Sequence, residues 1–226
     1  MQATTRYFMD IETSVDQKTE ETIRIQAEAE YLHRPADCAT FTPDQWGEKK
    51  VRDACLKPEC GRVLVMSLIR ENGDGNLNRR LIGLDPATGR FCEDEAKTLR
   101  HIWKHFDEFQ PATDLIIGHN IMNFDLPFLL KRSIIHQVKP SLQLCFARYR
   151  AQPIYDTMHI WQRWYGAISL DALAQTLNLT SSKNGGINGS QVYDFYRAGK
   201  HREIADYCAR DVVLVREIYR RMTFAE

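Results

Sequence analysis

The stretch Arg6–Thr13 (RYFMDIET) sets two carboxylates, Asp10 and Glu12, two residues apart near the end of an apolar run. The run reads as a strand, in which alternate side chains share a face, so Asp10 and Glu12 point the same way. Two like charges side by side at a strand end are costly unless something offsets them, most simply a bound cation. A strand that runs out into solvent explains such a pair as simply. A second pair lies far along the chain. Tyr207 and Asp211 are four apart on an expected helix, so they share a face beside its apolar stripe. Capping does not apply in mid-helix and Arg210 faces elsewhere, so Asp211 needs a partner. Between the two pairs, Asp125 follows a short strand at the mouth of a helix, where a capping role alone would account for it.

The elements that must position these residues follow from periodicity and turn chemistry. After the first strand, Val15 to about Lys57 is polar and charged, with weak helical periodicity around Glu20–Tyr31 and turn signals at Pro35 and Pro43. It reads as an insertion carrying two short helices, pinned to the body by Trp46 and Tyr31, with Lys49, Lys50 and Arg52 on a solvated face. Arg62–Arg70 is a strand, residues 71–75 a turn, and Leu77–Leu84 the returning strand. Glu93–Phe109 spaces Ala96, Leu99, Ile102, Trp103, Phe106 and Phe109 as a helix would, with acidic residues in its first turn. Asp114–Gly118 is a short buried strand, and Leu126–Ile135 a helix with Pro127 in its first turn. A strand over Pro153–Thr157, a helix over Ser169–Leu177, a loop over Thr180–Gly189 and a long helix over Lys200–Met222 complete the order. Ile204, Cys208, Val212, Val215, Tyr219 and Met222 line the inner stripe of that last helix. Three strands in hairpin order, then alternating helices and strands, predict a mixed α/β sheet flanked by helices.

Composition sets few limits. The 226 residues suit one domain with an insertion at about 15–57. Thirty basic residues balance thirty acidic ones, so any nucleic-acid binding must come from a local patch. The start of the chain shows no signal peptide, and no apolar run approaches a membrane span, which leads us to expect a cytoplasmic protein. The six cysteines form no CxxC pair and read as reduced thiols. His33, Cys38, Cys55 and Cys60 offer a zinc site as the lesser alternative.

In order and spacing these segments resemble the three motifs of the DEDD (DnaQ-like) superfamily of 3′–5′ exonucleases, which share an RNase H-like fold. Asp10-Ile11-Glu12-Thr13 resembles the first motif, His119-Asn120-Ile121-Met122-Asn123-Phe124-Asp125 the second, and Tyr207-Cys208-Ala209-Arg210-Asp211 the third in its tyrosine form. The histidine form would place histidine at position 206, which is aspartate here. The stretches Asn188–Val192 and Ile204–Cys208 are similar to exonucleases related to the proofreading domain of family B DNA polymerases. The resemblance implies two divalent cations, Mg²⁺ or Mn²⁺, about 4 Å apart and clamping a phosphodiester. By the family's arrangement Asp10, Glu12 and Asp211 hold the metal that binds the attacking water. Asp10 bridges to the second metal, which Asp125 supports through water, and Tyr207 orients the nucleophile. The implied substrate is a single-stranded or frayed DNA 3′ end, and the implied product a nucleoside 5′-monophosphate.

Further candidates are the backbone around Thr13 and the side chain of Asn120 for the terminal nucleotide, and Phe124 for its base or sugar. Asp156 reads as a cap or as support for the site. Lys183 lies in a glycine-rich loop able to approach a phosphate. The run Trp161–Tyr165 mixes aromatics with a base, as stacking surfaces do, although packing between two elements is the simpler reading. Lys131, Arg132, Arg148 and Arg150 are the best basic group for a backbone track. An exoribonuclease on the same site, an RNase H-type endonuclease and a catalytically silent binding module are the competing functions, and a replication or repair partner is left open.

Overall fold

The computed structural model describes residues 4–33, 38, 40–182 and 186–225. Lys183 and Pro35 therefore lie outside the described residues. Five strands form one mixed sheet in the order β3-β2-β1-β4-β5. The central strand, β1 (Arg6–Ser14), pairs antiparallel with β2 (Arg62–Glu71) and parallel with β4 (Leu115–Gly118). β3 (Leu77–Ile82) forms one edge beside β2, and β5 (Ile154–Asp156) the other beside β4. This is an α/β fold, a mixed sheet flanked by helices, and it is consistent with the RNase H-like architecture expected from the sequence.

Alternation along β1 sends its residues to two different cores. Tyr7, Met9 and Ile11 point to one face, which α3 (Glu95–Lys104) and α4 (Asp125–Ile135) cover with Leu99, Ile102, Trp103, Leu126 and Leu129. Phe8 points to the other face and meets Val212, Val215 and Tyr219 of α8 (His201–Met222). Asp10 and Glu12 share the parity of Phe8, so they face the helix that carries Tyr207 and Asp211.

Element types follow the sequence expectations, with shifts at the ends. The helix expected over Glu93–Phe109 runs Glu95–Lys104, N-capped by Asp94 through the Lys97 N–H, while Phe106 and Phe109 are buried in the turns beyond it. Helices α5 (Thr157–Trp161), α6 (Leu170–Thr176) and α7 (Val192–Arg197) are short, and α5 and α7 had no periodic signal long enough to see.

The segment between β1 and β2 departs most from expectation. Its two helices, α1 (Gln17–His33) and α2 (Pro43–Cys55), are long rather than short. Trp46 and Tyr31 do not pin them to the body. Trp46 packs with Ala27, Cys38, Tyr31 and Phe41, which knits the segment to itself. The anchor to the body is a separate cluster of Val15, Val51, Ala54, Cys55 and Tyr193, supported by the Thr13 hydroxyl donating to the Cys55 carbonyl at 2.8 Å.

Candidate active site

The β1–β4 ladder pairs residues only as far as Phe8 with Ile117, so the edge of β1 beyond it is open. Asp125 fills the gap: its Oδ1 accepts the Ile11 N–H at 3.0 Å. The capping explanation for Asp125 thus fails. Phe124 occupies the cap position with no side-chain cap bond, and the Asp125 carboxylate, buried, turns to β1 instead. On the other side of β1, the pairing with β2 slips between Glu12 and Thr13, opposite Val65 and Val63, so that Leu64 bulges out of the ladder. Gly83, at φ +106°, lies against that bulge, and a Cβ there would stand 2.4 Å from the Leu64 carbonyl oxygen.

These supports bring Asp10, Glu12, Asp125, Tyr207 and Asp211 to the wall of one cleft of about 460 Å³. Thr13, Asn120 and Phe124 line it too. The Thr13 hydroxyl is committed to Cys55, so its backbone is what it offers. Phe124 is half-buried against Phe128, with ring centroids 5.6 Å apart, and also faces the cleft. Asn120 adopts φ 60° and gives its N–H to Asp156 Oδ1 at 3.0 Å. Asp156 also accepts the N–H groups of Met122, Met158 and His159, so it caps α5 and fixes the Asn120–Met122 turn at once.

The charges in this cleft are poorly compensated. Burial, then the charge of Asp125, pushes the Asp10 carboxyl well above the usual carboxylate range, with Glu12 and Asp211 adding to it. Burial, then Asp211, raises Glu12 well above that range. Burial raises Asp125 to about 7, although the Ile11 N–H opposes it. Among the described residues no lysine or arginine forms an ion pair with Asp10, Glu12 or Asp125. Burial and the Asp211 charge hold the Tyr207 hydroxyl far above its ordinary value, so it is a neutral phenol at any working pH. His119 is not an acid–base candidate: its ring nitrogens meet Thr157 Oγ1 and Ile168 O, each at 2.9 Å, and burial lowers its pKa.

Two groups at the site were not singled out from the sequence. Cys208, read as part of the apolar stripe, donates its thiol to the Asp10 carbonyl at 3.4 Å and lies 3.5 Å from Asp10 Oδ2. Its spacing of three from Asp211 was the available signal. Arg52 was assigned to a solvated face, but it lines the cleft beside Asp53 and Leu56. It donates to Ser190 O at 2.9 Å and Asp194 at 2.6 Å, and it lies over the Tyr193 ring. The expected backbone track also divides. Arg132 is buried against Glu95 and Lys131 pairs with Glu59, whereas Arg148 and Arg150 are exposed.

The zinc alternative finds no support: among the described residues, the group whose potential ligand atoms converge, within 4.8 Å, is Asp10, Glu12 and Cys208. Burial and the Asp10 charge hold the Cys208 thiol well above its ordinary pKa, so it serves as a donor and leaves a set of hard carboxylate oxygens. Among the described residues no helix is long and apolar enough to cross a membrane. A comparison with curated proteins found no match. Residues 54–226 match the model of a family described as a predicted 3′–5′ exonuclease related to the exonuclease domain of PolB. The match begins near the end of α2, so Asp10 and Glu12 precede it while Asp125, Tyr207 and Asp211 fall inside. With most of its length matched, the chain belongs to this family of predicted 3′–5′ exonucleases.

Proposed function

We propose that the chain is a metal-dependent 3′–5′ exonuclease of the tyrosine (DEDDy) subclass, hydrolysing phosphodiesters at single-stranded or frayed DNA 3′ ends. The observation that carries this reading is the convergence of Asp10, Glu12, Asp125 and Asp211 on one cleft, the first three with raised pKa values and, among the described residues, no lysine or arginine ion-paired to them. Hard oxygen donors held at mutual repulsion fit divalent cations, Mg²⁺ or Mn²⁺. Asp10, Glu12 and Asp211 would hold one and Asp10, with Asp125, a second. Bound there, such ions would activate water and stabilise the charge on the departing 3′ oxygen.

The chain's own groups do the rest. The Tyr207 hydroxyl is one helical turn from Asp211 and close to Gly189, where a Cβ would stand 3.8 Å from it. A neutral phenol there positions a water molecule without competing for its proton. The Asn120 turn, held by Asp156, and the edge of Phe124 form the wall against which a terminal nucleotide can lie. Attack of water on phosphorus with loss of the 3′ oxygen releases a nucleoside 5′-monophosphate. We treat residues 1–226 as one catalytic domain, with the α1–α2 insertion walling the cleft, acting in the cytoplasm on nucleic acid.

The test is incubation with Mg²⁺ or Mn²⁺ and matched 5′-labelled single strands of DNA and RNA, with Asp125→Ala as control. A shortening ladder on DNA that the variant loses is expected. A ladder mainly on RNA moves the substrate to RNA on the same site. Internal cuts point to an endonuclease, and binding without cleavage to a silent module.

A further inference from the structure

The run Trp161–Tyr165 is packed only in part: Trp164 lies half-buried against the main core, while the rings on either side of it stay exposed. Trp161 is 40% exposed and Tyr165 74%, and Tyr149, from the preceding loop, is 63% exposed. Trp164 joins the two segments, its ring 5.6 Å from that of Tyr149 and 4.9 Å from that of His159. Arg148, Arg150 and Arg163 are exposed among these rings. None of the three forms an ion pair among the described residues, unlike the cations of the α1–α2 segment, where Arg24, Lys49, Lys50 and Arg52 all do. Tyr149, Arg163 and Trp164 hold φ values of 66°, 51° and 69°, left-handed backbone that costs energy for residues other than glycine. Folding thus retains strain in the segments that display these rings and charges.

The surface is continuous with the cleft. Asn120 lines the cleft and accepts from Asn123 Nδ2 at 3.1 Å, and Asn123 Nδ2 lies 2.8 Å from His159 Nε2, next to Trp164. Exposed aromatic faces among uncompensated arginines match the chemistry of an unpaired strand, whose bases stack and whose phosphates need cations. We propose that this surface is a single-strand platform, which holds the nucleotides upstream of the 3′ end while that end enters the cleft. The assignment rests on the exonuclease reading and adds to it a preference for unpaired strands long enough to reach Tyr149.

The test has a binding arm and a turnover arm. In the binding arm, a fluorescein-labelled 15-nucleotide oligo(dT) is titrated by anisotropy in EDTA, so that no hydrolysis occurs. The proteins are wild type, Arg148→Ala/Arg150→Ala and Trp161→Ala/Tyr165→Ala, each checked for an unchanged melting temperature. Each variant is expected to bind at least about tenfold more weakly. The arginine variant should also flatten the slope of log affinity against log salt by about 1.4, from ~0.7 per phosphate contact on a single strand. In the turnover arm, a dinucleotide, confined to the cleft, should be hydrolysed by the variants as by wild type, while the 15-mer shows a raised KM. Unchanged affinity and salt slope for the 15-mer would overturn the platform and leave the exonuclease reading intact. If wild type hydrolyses neither substrate, the exonuclease reading falls, and the binding arm still decides whether the surface holds single strands.

Discussion

Two sets of carboxylates among the described residues, one at structural positions and one in the cleft, are treated in opposite ways. Glu95, behind the sheet, accepts from the Val63 N–H and from Nε and Nη2 of Arg132, with His136 at 3.0 Å. Asp114 takes the N–H groups of Thr5 and Gln110, and Asp156 takes four backbone N–H groups. These are satisfied structural anions. In the cleft, Asp10, Glu12 and Asp125 sit among one another's charges, with one backbone N–H and one thiol as their partners in the described hydrogen bonds. The structural set was given partners by the chain; the cleft set is left short of positive charge. That shortage costs stability unless a cation supplies it.

The same chemical change should therefore have opposite effects in the two regions. Asp10→Asn removes repulsion, so the metal-free protein should gain about 1–2 kcal/mol in denaturant unfolding. Its turnover should fall by about 10³-fold or more, since metal clamping is worth several kcal/mol. Glu95→Gln strands Arg132 in the interior and should destabilise the protein by about 3 kcal/mol, lowering its melting temperature by roughly 6–12 °C. Tyr207→Phe should slow hydrolysis about 10–100-fold by letting the water drift, with metal affinity unchanged in calorimetry. Asp156→Asn should destabilise by about 1–2 kcal/mol and slow turnover as the Asn120 turn loosens, read as a change in both melting temperature and kcat.

The smallest effect is the pH dependence, and its sign is unusual for carboxylates. Asp125 has an ordinary pKa of 3.8 and is raised to about 7 in the fold, with Asp10 and Glu12 raised as well. Between those values the unfolded chain has lost the proton that the folded chain keeps. The contribution of Asp125 to stability is thus present below about pH 4 and is lost as pH rises through about 7, and Asp10 and Glu12 act in the same direction. Metal-free protein should lose stability over that window, and saturating Mg²⁺ should cancel or reverse the trend by holding the carboxylates ionised. A metal-free stability that rises steadily from pH 4 to 7 would remove the contrast between the two regions.

Much of the site could be read locally. The same-face pair on β1 and the four-residue spacing of Tyr207 and Asp211 are periodicities of single elements, and the structure keeps both. What the sequence hid was set by distant contacts. Arg52 meets Asp194 across 142 positions, so nothing near it marks it as a cleft residue. Asp125 meets Ile11 across 114 positions, and its place beside a helix start imitated a cap. The helix α1 buries only Glu20 and Ala27 along 17 residues, so its periodicity was weak and its length was underestimated. Trp161 and Tyr165 have the composition of a packed turn, and only the fold shows that both stay exposed.

The most direct test of the central claim is Mn²⁺ binding to metal-free protein by calorimetry, with Asp10→Asn and Asp156→Asn alongside. Two Mn²⁺ per chain, lost or sharply weakened in Asp10→Asn and kept in Asp156→Asn, is the predicted result. Mn²⁺ binding that is absent from wild type, or that Asp10→Asn leaves untouched, would contradict the account.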